Sequence, residues 1–95
     1  MQIREFHDFI RQKYYARDHQ RGTPGTFMWF IEEVGELARA LHRGDEENLK
    51  EEFADAAAWL VTLASIRGVD LEEAAKKYAD GCPRCGGMPC RCPVA

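Results

Sequence analysis

Apolar residues return every three or four positions through most of this chain, a period that confines it to helices. Ile3, Phe6, Ile10 and Tyr14 set the pattern, predicting a first helix to about Arg17. The stretch from Asp18 to Gly25 contains Arg-Gly-Thr-Pro-Gly, breakers that predict a loop with Thr23 as N-cap and Pro24 at the next helix's first position. The second predicted helix carries an apolar stripe of Phe27, Phe30, Ile31, Val34, Leu37, Ala38 and Leu41 and runs to about Arg43, where Gly44 supplies a stop. Asp45 caps a third helix that continues to Gly68, and Asp70 with Glu73 has the form of a capping box opening a short fourth helix that ends at Gly81. No strand pattern, internal repeat or low-complexity segment interrupts this. Connections of a few residues favour antiparallel neighbours, so the expected fold is all-α, a helical hairpin with flanking helices.

The chain's 95 residues allow one core. A domain of this size buries only about 60–65% of its unfolded surface, and it needs a staple or a partner. The helices carry apolar residues on two sides, which points to a four-helix-bundle-type core completed by oligomerisation, as a homodimer or a dimer of dimers. All four cysteines fall after Gly81, dividing the chain into a helical body, 1–80, and a cysteine-rich tail, 81–95. With 13 Lys and Arg against 16 Asp and Glu the formal charge is −3, and the basic excess of a nucleic-acid binder is missing. The longest uncharged stretches, Gly22 to Ile31 and Ala56 to Ile66, are too short to span a bilayer. The N-terminus alternates charge where a signal peptide needs an apolar run. These features place the chain in the cytoplasm, bound to neither nucleic acid nor membrane.

The acids on the second and third predicted helices are not scattered. Stepping 100° per residue puts Glu33 at the edge of the second helix's stripe and Glu36 one turn along, in line with Trp29 and Ala40, whereas Glu32 points away. On the third helix, Glu52 lies beside the stripe of Leu49, Phe53, Ala56, Leu60 and Leu63, with Asp55 three residues on and Trp59 and Ile66 on the same side. Any single E-x-x-E pair is ordinarily a solvated helix face with local ion pairs. Two such pairs on helices packed antiparallel would bring four carboxylates together, and that cluster needs protons, basic partners or a cation. Hard oxygen donors at this density suit Mg²⁺ or Mn²⁺.

The runs Glu32-Glu33-Val34-Gly35-Glu36-Leu37-Ala38-Arg39-Ala40-Leu41, Glu51-Glu52-Phe53-Ala54-Asp55-Ala56-Ala57-Ala58-Trp59-Leu60 and Gly68-Val69-Asp70-Leu71-Glu72-Glu73-Ala74 resemble MazG-like nucleotide pyrophosphohydrolases of the all-α NTP pyrophosphatase superfamily. The resemblance covers roughly the helical body. The family pattern, E-x-x-E and then E-x-x-D after a variable spacer, falls here on Glu33, Glu36, Glu52 and Asp55. The resemblance implies that these four are catalytic residues and Mg²⁺ ligands. It also implies an NTP or dNTP substrate hydrolysed to the monophosphate and pyrophosphate, a reaction that clears unwanted nucleotides from the pool. The residues suit that chemistry: a triphosphate can enter an acidic pocket only with bridging metal that neutralises both sides and activates water. One of the four, or Glu32, would accept the water's proton. Lys13, Arg17 and Arg21 are candidates to meet phosphate oxygens, and Trp29 and Trp59 either stack on a base or pack in a core or subunit contact. His7, His19 and His42 have no ligand spacing.

The tail reads Cys82-Pro83-Arg84-Cys85-Gly86-Gly87-Met88-Pro89-Cys90-Arg91-Cys92, or C-x₂-C-x₄-C-x-C. Cytosolic thiols so grouped bind metal more often than they form disulfides. A tetrahedral, structural Zn²⁺ knuckle on Cys82, Cys85, Cys90 and Cys92 is expected, its residual charge of about −2 offset by Arg84 and Arg91. An Fe–S centre or a zinc shared between subunits are the variants to exclude. Two other functions stay open: a phosphoribosyl-ATP pyrophosphohydrolase, from the same superfamily and using the same acids, and a non-catalytic zinc-dependent interaction module whose acids are merely solvated.

Overall fold

The first two predicted helices are joined end to end. In the computed structural model, which describes residues 1–94, helix α1 runs Ile3–Arg43, and the only break is at Gly22, whose φ of 82° and ψ of 172° depart from the helix. The expected loop from Asp18 to Gly25 is therefore absent. Only Gly22 is needed to change direction, because glycine alone enters the positive-φ region without strain. Pro24 sits in the first turn after the break, where its missing N–H costs no intrahelical bond. We refer to the two parts of α1 as its arms, 3–21 and 23–43.

Helix α2 spans Glu46–Ile66 and returns antiparallel to the second arm. Its start and the end of α1 follow the local chemistry of the sequence. Gly44 closes α1 at φ 73° and donates its N–H to the Ala40 carbonyl, while Asp45 caps α2 by accepting from Asn48 N–H. Helix α3 is shorter than expected, Leu71–Ala75, followed by a 3₁₀ turn over Lys76–Tyr78. Asp70 caps it by accepting from Glu73 N–H. The Glu73 side chain does not complete a capping box but turns to Lys76 at 2.8 Å. Among the described residues there is no strand, and no helix is long and apolar enough to cross a membrane. The four cysteines close the chain in a compact knuckle, so the fold is an all-α hairpin with flanking elements and a four-cysteine tail.

The helical body buries few of its large apolar residues. Its buried positions include Ile10, Thr26 and Ala40 on α1 and Val61, Thr62 and Ser65 on α2. The second arm therefore turns its acid-bearing side, in line with Trp29, Glu33 and Ala40, toward α2. The stripe of Phe27, Ile31, Val34 and Leu41 is left outside, each of these residues at least 40% exposed. Phe53 and Leu60 on α2 are likewise about half exposed. The radius of gyration, 15.6 Å, exceeds the about 12 Å of a compact chain this long.

On the first arm, His7 and Ser65 share a buried hydrogen bond of 2.7 Å that ties the arm to α2. Arg4 then holds α3: its guanidinium reaches Asp70 at 2.7 Å and Glu72 at 2.9 Å, and its backbone N–H also donates to Glu72. The bond from Arg4, helped by the Glu73 N–H, pulls the Asp70 carboxyl below its ordinary range. A carboxylate depressed by folding stabilises above its unfolded pKa, and that contribution is lost as pH falls through the folded value. Arg4→Ala should therefore lower the melting temperature by a few degrees at pH 7. Measured by circular dichroism, the gap from the unsubstituted chain should narrow as pH falls below about 4.

Candidate functional site: a carboxylate cluster beside an arginine-lined cavity

The hairpin places the second arm's Glu33 against Glu52 and Asp55 of α2, with one oxygen of each carboxylate within 4.8 Å of the others. Glu36, one turn along, lies at the margin. Its carboxylate faces Arg39 at 3.4 Å, although its charge still acts on both Glu33 and Glu52. Burial pushes the Glu33 carboxyl above the ordinary range, and Asp55, Glu52 and Glu36 push the same way. For Glu52 burial again acts first, then Asp55 and Glu36, against the opposing pull of Arg39. Glu32 is exposed and Glu47 lies outside the cluster.

One atom distinguishes this cluster from a solvated acidic face. Glu52 Oε2 is buried and has no hydrogen-bond partner. A buried carboxylate oxygen without a donor is costly, and three acids sharing one small space multiply that cost. A divalent cation removes it, and an all-oxygen donor set is what Mg²⁺ or Mn²⁺ prefers. The residues fit such an ion.

Glu33 and Asp55 also line a cavity of about 540 Å³ that extends under the first arm, where Tyr14, Arg17 and Arg21 contribute. Lys13 lies outside it. Trp29 and Trp59 line the cavity but stack on each other, ring centroids 6.1 Å apart and nearly parallel at 14°. The Arg21 guanidinium lies over the Trp59 ring at 5.0 Å. Sequence reasoning overlooked Asp18 and Thr26, both buried and both bonded to Arg21. The available signal was the i,i+3 spacing of Asp18 and Arg21 just before the Gly-Thr-Pro-Gly break.

The second candidate centre is the knuckle. The Sγ atoms of Cys82, Cys85, Cys90 and Cys92 lie within 4.8 Å of one another, with Cys82 and Cys92 3.6 Å apart and Cys85 and Cys90 3.9 Å apart. All four are free thiols. A tetrahedron with 2.3 Å metal–sulfur bonds has edges of about 3.8 Å, so the spacing fits a tetrahedral soft metal. Backbone amides already point at the sulfurs, Gly87 and Arg91 N–H donating to Cys85 at 3.4 and 3.3 Å. Those two bonds hold the Cys85 thiol down at about 6, whereas contact with Cys90, Cys82 and Cys85 pushes Cys92 up to about 11. Gly87 has no alternative at this approach: a Cβ there would sit 2.7 Å from the Pro89 carbonyl and 3.3 Å from Cys85 Sγ.

A search of curated proteins returned no match. The sequence does match the family model of the MazG nucleotide pyrophosphohydrolase domain over residues 23–85, a span that takes in the second arm of α1, α2, α3 and the first two cysteines. That match covers both acid pairs of the cluster and the helices that carry them, and the chain belongs to the MazG nucleotide pyrophosphohydrolase family.

Proposed function

We propose that this chain is a Mg²⁺-dependent nucleoside triphosphate pyrophosphohydrolase that cleaves an NTP or dNTP to the monophosphate and pyrophosphate. The reading rests above all on the unpartnered Glu52 Oε2 within the Glu33, Glu52 and Asp55 cluster, two of whose members line a cavity supplied with arginines. Glu33, Glu52 and Asp55 would hold magnesium, with Glu36 joining them by leaving Arg39. When bound, the ion supplies the positive charge that lets a triphosphate approach and the activation that water needs. Arg17 and Arg21 meet phosphate oxygens from the other side of the cavity. Water adds at the α-phosphorus as one of the four acids or Glu32 takes its proton, the bridging α–β P–O bond breaks, and pyrophosphate departs with the bond's electron pair. The base then lies toward Trp29 and Trp59, which must part from each other to sandwich it or stay stacked as a wall. Under this reading the chain divides into a catalytic body, 1–80, and a tail, 81–95, that carries a structural zinc, and it works in the cytoplasm, where thiols stay reduced.

Assembly belongs to the same proposal. The exposed stripe of Phe27, Ile31, Val34 and Leu41 leaves a helical hairpin half covered, and a second copy presenting the same stripe completes a four-helix core. Sedimentation should find a dimer or a dimer of dimers, and Ile31→Glu should dissociate it.

A panel of canonical and modified NTPs and dNTPs with Mg²⁺, scored for pyrophosphate against orthophosphate, tests the activity. Glu33→Gln, Glu52→Gln and Asp55→Asn should each cut turnover by about a hundredfold or more while the protein stays folded, since each removes a ligand charge from the metal. Glu36→Gln should fall in the same group, and Glu47→Gln should keep full turnover. Equal loss at Glu47, or full turnover in two of the four, would falsify the cluster's role. Turnover of phosphoribosyl-ATP in preference to every NTP and dNTP of the panel would move the assignment to that activity. A protein that needs zinc but binds no Mg²⁺ would be an interaction module.

The knuckle should carry one zinc per chain by elemental analysis, released by thiol modification. Chelation should unfold the tail, because metal binding free energy is the tail's folding free energy. Finding iron in place of zinc would redirect the assignment to a cluster cofactor.

A further inference from the structure

Arg21 is held in a setting built from four other residues. Its Nη1 donates to Asp18 Oδ1 at 3.0 Å and to Thr26 Oγ1 at 3.2 Å. Asp18 is 4% exposed and Thr26 is fully buried, so neither bond competes with bulk water. Asp18 precedes the Gly22 break and Thr26 follows it. The positive φ at Gly22 thus brings the two acceptors to one side of the same guanidinium. Gly25 supplies the room: a Cβ there would stand 3.2 Å from Arg21 Cγ and 3.7 Å from Cδ, against the stem of the side chain. Trp59 supplies a flat surface 5.0 Å from the guanidinium carbon. Arg21 keeps 27% of its side chain exposed and lines the same cavity as Glu33 and Asp55.

A guanidinium has five N–H donors in a rigid fork. When Nη1 is held by two buried acceptors and an indole lies beside the guanidinium carbon, the directions open to the remaining edge are restricted. A single ion pair to a surface cation would leave the guanidinium mobile, whereas two buried acceptors on one nitrogen hold Nη1 in place.

We propose that Asp18 is a positioning residue that acts through Arg21, with Thr26 and Gly25, to present the free guanidinium edge to the polyphosphate chain of the substrate. This rests on the reading of the cavity as a triphosphate site. Asp18 borders the same cavity, 4% exposed, where its carboxylate would by itself repel a polyphosphate, so any help it gives to binding comes through Arg21, and the Gly22 break becomes part of the binding apparatus.

The test uses inorganic tripolyphosphate with Mg²⁺, a probe with no base or sugar, followed by tryptophan emission. The chain has only two tryptophans, and both line this cavity, so filling it should perturb the signal. Arg21→Gln should raise the dissociation constant about tenfold, as expected for losing a charge-assisted pair of bonds. Asp18→Asn should raise it several-fold in an otherwise normal chain and should add nothing once Arg21 is already Gln, because a residue acting only through Arg21 has no effect without it. Should Asp18→Asn fail to fold, Thr26→Val and Gly25→Ala carry the test. Each should weaken binding about threefold in a chain that circular dichroism shows to remain folded.

Full multiplication of the Asp18 and Arg21 effects overturns the proposal. So does unchanged binding in both Thr26→Val and Gly25→Ala, or the lack of any tripolyphosphate response in the unsubstituted chain. Hydrolysis of nucleotides by a chain in which Asp18 and Arg21 act independently would leave the enzymatic reading standing and remove this one. Tripolyphosphate binding with the expected coupling, but no hydrolysis of any nucleotide, would do the reverse.

Discussion

The close approach of α1 and α2 at small and polar side chains is what the remaining structure depends on. Ala40 and Thr26 are wholly covered and Thr62 and Ser65 nearly so, and residues of this size let two helix backbones come together where leucines would hold them apart. Carboxylates from both helices share one small space there. The cost is a seam that is more polar than apolar, in which each buried group must find a partner. His7 finds Ser65 and Asp18 finds Arg21. Glu52 Oε2 finds none, and the imbalance is localised at the one place where a cation would cancel it.

Much of this was legible because the signals were local. Gly44, Asp45 and Asp70 act through their own backbone geometry and their own side-chain oxygen, so the boundaries they mark survive any tertiary arrangement. The acid pairs were legible for a related reason: E-x-x-E and E-x-x-D each fix a face of one helix. What the hydrophobic period could not give was which neighbour each face meets. Phe27, Ile31, Val34 and Leu41 form a sound helical stripe, yet it is the adjacent face that packs on α2, because periodicity reports that a face is to be covered and is silent about what covers it. The region around Gly22 was misread for the opposite reason. Arg-Gly-Thr-Pro-Gly holds three breakers in five residues, but Pro24 and Gly25 are both compatible with a helix's first turn, and one positive φ sufficed. Asp18 went unnoticed since its i,i+3 spacing to Arg21 reads as an ordinary surface ion pair; its burial exists only once the chain has turned.

The two candidate metal centres are kept apart by chemistry as well as by position. The hairpin's cluster offers only carboxylate oxygen and the knuckle's only sulfur, and the amides of Gly87, Arg91 and Cys92 are already turned toward the sulfurs. Hard and soft ions therefore sort themselves between the two without any gate. The knuckle needs little from the rest of the chain, since Cys82 N–H to Gly87 carbonyl and Gly86 N–H to Cys82 carbonyl close it internally at 2.9 and 2.7 Å.

The break at Gly22 has a geometric consequence for the long helix. Two rigid arms joined at one residue behave as a bell crank, in which a small change of torsion at the pivot becomes a displacement that grows along each arm. Tyr14 and Arg17 lie about two turns or less from that pivot on one side, Glu33 about three turns from it on the other. The angle between the arginine side of the cavity and its acidic side is thus set by a single pair of backbone torsions. The first arm is otherwise anchored at its far end, where His7 meets Ser65 and Arg4 meets α3. Those contacts, four turns or more from the pivot, fix the width of the cavity as the far end of a lever fixes its stroke.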